Sequence, residues 1–178
     1  MKLVVAISGA SGVHLGLKIK EYLPKGVEAY IIATESTKVV LQKEQGVFMD
    51  EDIAAPVASG SFGADAMIVA PCSVNTLAKI SCGISDNLTT RAASVMIKER
   101  KKLLLAPREM PYSPIALENM LKLSRLGVEI MPPVLGYYSD IKSLEDMERY
   151  IIGRWFDVLG IENELFKRWG SNDVSKSD

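Results

Sequence analysis

Apolar and polar positions along this chain fall into short blocks whose period switches between a compact run and a spacing of three to four. Residues 3–7, Leu-Val-Val-Ala-Ile, are an apolar run rich in β-branched side chains, which predicts a buried strand. Small residues follow at 8–12. Apolar positions Leu15, Leu17, Ile19, Tyr22 and Leu23 then predict an amphipathic helix over 14–23, stopped by Pro24-Lys25-Gly26. The alternation continues with a strand at 27–33, a helix at 34–43, and a strand at 66–70 ended by Pro71. A helix over 73–81 has Ser73 as its N-cap, and another runs over 87–98. Strand 102–106, helix 115–126 ending at Gly127, strand 128–131 stopped by Pro132-Pro133, and a long helix 144–159 ending at Gly160 complete the pattern. The stretch 45–63 is loop-rich and lies between two α/β halves.

Strands that alternate with helices at short intervals predict an α/β fold: three-layer, Rossmann-like, with a mostly parallel sheet and helices on both faces. A single domain is expected over 1–169, with a polar tail at 170–178. Composition narrows the partners. Of 178 residues, 48% are apolar and 24% charged, and the formal net charge of −1 gives no basic field for nucleic acid. No apolar run approaches a membrane span. The N-terminal MKLVVAISGASG lacks a long apolar region with a cleavage site, so it is read as a strand and not a signal peptide. Cys72 and Cys82, with His14 as the one histidine, do not make a zinc site; reduced thiols and a cytoplasmic setting are expected.

Chemistry concentrates at the expected strand exits. Gly9-Ala10-Ser11-Gly12 opens a helix, where small residues and free N–H groups suit a phosphate, although a tight turn without ligand has the same appearance. Its spacing is not the dinucleotide GxGxxG, and the second strand closes on the hydroxyl of Thr34 instead of a ribose-binding acid, which leaves a mononucleotide open. Ala58-Ser59-Gly60-Ser61 and Pro71-Cys72-Ser73-Val74-Asn75-Thr76 are two more hydroxyl-rich turns, expected at the same sheet edge; simple N-capping is the alternative. Arg91, Lys98 and Arg100 read as anion ligands or as a solvated helix face. Arg108 and Glu109 leave the fourth strand side by side, as a turn ion pair or as working parts of a site. Neither Cys72 nor His14 has a partner that would activate it as a nucleophile.

Taken together, GASG, ASGSF, PCSVNTLAKI, DNLTTRAASVMIKER, PREMPYSPIALENMLKLSRLG and IIGRWFDVLGI closely resemble the flavin prenyltransferase (UbiX) family over nearly the whole chain. That resemblance implies FMN, reduced, as co-substrate and dimethylallyl monophosphate as prenyl donor, joined at flavin N5 and C6 without a metal. The product would pass to a UbiD-type decarboxylase. It implies Gly9, Ala10, Ser11, Thr34, Ser73, Val74, Asn75, Thr76 and Arg108 around the flavin. Tyr138 and Arg154 would hold the prenyl phosphate, with Ser59, Arg91 and Lys98 beside them. Glu109 would shuttle protons, with Tyr138, Arg154 and Lys98 counted among the catalytic residues, and Glu44 would stand near the site. The family's dodecamer makes Trp155, Trp169 and the PYSP turn candidate contacts. Two positions depart from the family pattern: Ala116 replaces a common histidine, and Ser139-Asp140-Ile141 lacks a proline. A flavin-dependent cysteinyl decarboxylase, or a flavin-binding partner without its own chemistry, is the alternative.

Overall fold

The computed structural model describes residues 1–8, 12–34, 46–137 and 141–168. Gly9, Ala10, Ser11, Tyr138 and Trp169, together with Glu44 and nearly all of the expected helix 34–43, lie outside the described residues. The chain separates into two compact units, Met1–Pro133 and Val134–Asp178.

The first unit is built on six parallel strands: β1 (Lys2–Ile7), β2 (Glu28–Ala33), β3 (Val47–Met49), β4 (Ala66–Cys72), β5 (Lys102–Pro107) and β6 (Glu129–Ile130), in the order β3-β2-β1-β4-β5-β6. β3 is a strand the sequence pattern does not disclose. It has only three residues, and it exists by pairing Val47, Phe48 and Met49 with Ile31, Ile32 and Ala33. β4 runs past Pro71 to Cys72, with a register shift against β5 between Val69 and Cys72, so the proline bends the ladder without ending it.

Both faces of the sheet are covered, as near-continuous apolar strands require. On one face Val4, Ala6, Ile32, Met67, Val69, Leu103 and Leu105 pack with Leu77, Ile80, Leu88, Ala92, Met96 and Leu123. Those last six come from helices α2 (Val74–Cys82), α3 (Leu88–Lys98) and α4 (Pro114–Arg125). On the other face Ile7, Ile31 and Ala33 meet Val13 and Leu17 of α1 (Val13–Glu21). A Cβ at Gly16 would collide with the Ala70 carbonyl oxygen, so glycine sets how closely α1 crosses the sheet.

Helix starts follow their cap residues. Ser73, Asn87 and Ser113 each accept a hydrogen bond from the third helical N–H, and Asn87 forms a full capping box with Thr90. In the second unit, helix α5 (Leu144–Leu159) starts on Ser143 in the same way and stops at Gly160, whose φ of 78° favours glycine.

Candidate functional site

In a parallel sheet of this order the first crossover runs to one side of β1 and a later one to the other, so the crevice between β1 and β4 is the topological switch point. Ser8 and Ser73 leave those two strands side by side. Ser8 Oγ donates to Thr76 Oγ1 at 2.8 Å and accepts from Ser73 N at 3.3 Å, while Ser73 Oγ lies 3.0 Å from Thr76 Oγ1. Ser8 belongs to the turn but was not singled out from sequence, because its role depends on a contact 68 residues away.

Two helix N-termini open at this crevice. α1 begins on Gly12, at φ 92°, with no capping side chain, and neither α1 nor α2 has an acid in its first turn. Helix N-termini with no acid in the first turn are a natural seat for a phosphate. A Cβ at Gly12 would stand 3.6 Å from Arg108 Cδ and 3.7 Å from the Pro71 ring, so Arg108 lies beside Gly12. The donor set suits a phosphate-bearing flavin: two helix ends, a hydroxyl cluster and a guanidinium. Asn75 is exposed, Val74 and Thr34 are half-buried, and Thr76 is buried.

Arg108 N donates to Cys72 O at 3.2 Å, which fixes the exit of β5 against that of β4. Glu109 follows with an exposed side chain whose Oε1 accepts from Met110 N at 3.1 Å. Tyr112, which sequence reasoning passed over, returns to this exit and donates to Pro107 O at 3.0 Å. Burial, then the nearby Cys72 and Glu109, push its phenol above the usual range. Burial also pushes the Cys72 thiol up to about 12, so it stays protonated near neutrality and is no nucleophile.

Ser59, Arg91 and Lys98 come together, but elsewhere. They line a surface cavity of 370 Å³ with Ala58, Gly60, Ser94 and Val95, because Arg91, Ser94 and Lys98 share one stripe of α3. The expectation that the 58–61 turn shares the sheet edge of the other two is corrected. Lys2 Nζ, at the start of β1, donates to Phe62 O at 3.0 Å, and Glu99 at the end of α3 abuts Gly60. The 58–61 turn therefore lies where strands begin. Arg108 and Glu109 lie where they end, about 20 Å away along a six-residue strand.

Asp50 is another residue the sequence reading missed. Its buried carboxylate accepts from Thr89 N and Asn87 Nδ2, both at 2.8 Å, and its carbonyl from Leu88 N at 2.7 Å, anchoring the start of the helix that carries Arg91 and Lys98.

In the second unit Arg154 is exposed and pairs with Asp157 at 3.1 Å. The space above Gly153 is filled by Asn163 and Phe166 of the same chain. Trp155 is 1% exposed, so it is a buried residue and not an available contact. Ala116, where a histidine is common in the resembling family, is buried on α4.

Comparison with known proteins gives a consistent picture. A family model described as Flavoprotein matches residues 1–155. The chain is 46% identical to the flavin prenyltransferase UbiX of Helicobacter pylori, over 97% of this chain and all of that protein. Among solved structures, a dodecameric FMN-dependent UbiX-like decarboxylase from Escherichia coli O157:H7 superposes with a TM-score of 0.88 at 39% identity, over 95% of this chain and 99% of that one. AnUbiX (PadA1), in complex with FMN and dimethylallyl pyrophosphate, superposes at 0.86 and 38% identity, over 94% and 96%.

Proposed function

The chain belongs to the flavoprotein family and, within it, to the UbiX flavin prenyltransferases, and from that premise we propose that it joins a dimethylallyl group from dimethylallyl monophosphate to N5 and C6 of reduced FMN. The observation that carries this reading is the exit of β5, where Arg108 lies beside Gly12 and is followed by Glu109. In this reading Gly9, Ala10, Ser11, Thr34, Ser73, Val74, Asn75, Thr76 and Arg108 hold FMN, whose reduced ring supplies the electron-rich partner of the allyl group. Tyr138, Arg154, Ser59, Arg91 and Lys98 hold the prenyl phosphate.

Cleaving the allylic C–O bond places negative charge on the departing phosphate, and preset cations and hydroxyls stabilise it. Glu109 is the proton carrier: it gives a proton to a phosphate oxygen and takes up the one that ring closure at C6 releases. The product goes to a UbiD-type decarboxylase.

A homo-oligomer, dodecameric like the E. coli relative, completes the site. One chain keeps Ser59, Arg91 and Lys98 apart from Arg108 and Glu109, so a second copy is the natural source of the missing half. Met110, Ile115, Leu117, Leu121 and Leu126 are 91%, 72%, 52%, 52% and 58% exposed on and beside α4, an apolar strip such an assembly would cover. Free Cys72 and Cys82 accord with a cytoplasmic setting.

The test is product analysis. Protein, reduced FMN and dimethylallyl monophosphate should release inorganic phosphate in step with flavin consumed, whereas a cysteinyl substrate should release no CO2. The reverse pattern would assign the chain to cysteinyl decarboxylation.

A further inference from the structure

After Gly160 the chain doubles back on α5, and its course is fixed by specific contacts. A Cβ at Gly153 would lie 2.5 Å from the Phe166 ring and 2.9 Å from Asn163 Oδ1, so only glycine lets the returning segment lie this close. Asn163 Nδ2 donates to Gly153 O at 3.2 Å, Arg149 Nε donates to Leu165 O at 3.3 Å, and Phe166 meets Tyr150 edge-on at 5.2 Å. This return delivers Arg168 to Asp157.

Arg168 grips that carboxylate with both terminal nitrogens, Nη1 to Oδ2 at 3.0 Å and Nη2 to Oδ1 at 2.8 Å. Arg154 shares Oδ2 through one bond of 3.1 Å, and Asn163 Nδ2 adds a bond of 3.1 Å to Oδ1. One carboxylate thus serves two guanidiniums, and the pairing is unequal: Arg168 has the two-pronged geometry, which is the stronger form. Burial works to raise the Asp157 carboxyl, but the Arg168 hydrogen bonds and charge, with Asn163 and Arg154, outweigh it and hold it below its usual range.

We propose that Arg168 occupies Asp157 so that the charge of Arg154 stays available to the phosphate of the prenyl donor. Arg168 is on this account a positioning residue that never touches the substrate. The inference rests on the reading of Arg154 as a phosphate ligand. A carboxylate facing Arg154 alone would neutralise it, and an incoming phosphate dianion would have to displace that carboxylate. With Arg168 and Asn163 in place, Arg154, whose side chain is 46% exposed, can turn to a ligand and leave Asp157 fully paired.

Four variants test this: Arg154→Ala, Arg168→Ala, Asp157→Asn, and Arg168→Ala combined with Asp157→Asn. Each is assayed as FMN-loaded protein for KM and kcat with dimethylallyl monophosphate, and FMN affinity is measured alongside. Losing the charge-assisted pair in Arg168→Ala should raise KM about 10-fold and leave FMN affinity unchanged. The double variant should recover most of that loss, because no carboxylate remains to neutralise Arg154. Recovery would not occur if Arg168 bound the phosphate itself or only held the fold. An unchanged KM in Arg168→Ala, or a double variant as impaired as the single one, overturns the proposal. If Arg154→Ala leaves KM unchanged, the underlying reading of Arg154 fails and takes this inference with it. If Arg154→Ala raises KM and Arg168→Ala does not, this inference alone fails. Arg168→Lys serves if the alanine variant does not fold: lysine still pairs with Asp157, so a KM near that of the parent is expected, and a large rise overturns the proposal.

Discussion

Glu109 follows a strand buried from Leu103 to Pro107 and is exposed, with the Met110 N–H at 3.1 Å as a hydrogen-bond donor. A carboxylate spent on structure would be expected to hold a cation or a helix end, as Asp50 and Asp157 do in this chain. Among the described residues Glu109 accepts from the Met110 N–H, and its exposed carboxylate stands at the edge where the crevice lies, as a proton carrier must. Replacing it with glutamine keeps size and polarity and removes the titrating proton. Glu109→Gln should therefore retain FMN affinity and lower the single-turnover rate of prenylation about 100-fold or more, the usual scale for a positioned acid–base group. Unchanged single-turnover kinetics would remove Glu109 from the mechanism. The placement of Arg108 and Glu109 was legible in sequence, since an apolar run ending in charged residues marks a strand exit. The opposite was true of Ser8, Asp50 and Tyr112. Ser8 and Asp50 act through partners that only the folded chain brings near, 68 and 39 residues away, and Tyr112 through a turn that carries it back to Pro107.

At the scale of elements, helices were the best-marked features because their ends carry local chemistry. Ser73, Ser113 and Ser143 cap their helices and Gly160 closes α5, all through contacts within four residues. β3 escaped notice because three half-buried residues carry no period, and its strand character comes entirely from pairing with β2. Nothing in the local sequence around Gly153 says that Phe166 and Asn163 return to fill the space above it. A methyl there must push the return segment off α5. Gly153→Ala should cost about 1–3 kcal/mol, the range for overpacking a filled site, even though alanine favours helices. Denaturant unfolding measures it, and limited proteolysis should cut within 161–168 before the rest of the chain. A variant as stable as the parent would show that this segment packs less closely than the distances state.

For the whole molecule, the alternation of apolar runs and amphipathic blocks was enough to foretell a parallel α/β sheet, because burying both faces leaves strands without polar positions. The alternation could not say at which edge a given turn falls. The 58–61 turn was assigned to the strand exits, yet the β3 connection crosses the sheet face and returns it to the strand starts, at Lys2 and Glu99. That crossing divides the proposed residues into an Arg108–Glu109 group and a Ser59–Arg91–Lys98 group within one chain. It is also the structural reason to expect the working enzyme to be an assembly of copies.

This molecule builds a carbon framework onto its flavin, and the mass of the flavin reports that addition. Protein loaded with reduced FMN is incubated with dimethylallyl monophosphate under exclusion of air, and the released flavin is weighed by mass spectrometry. The released flavin should be heavier by one dimethylallyl unit, and only when both the protein and the prenyl phosphate are present. Recovery of unmodified FMN, from protein shown to have bound both compounds, would contradict it.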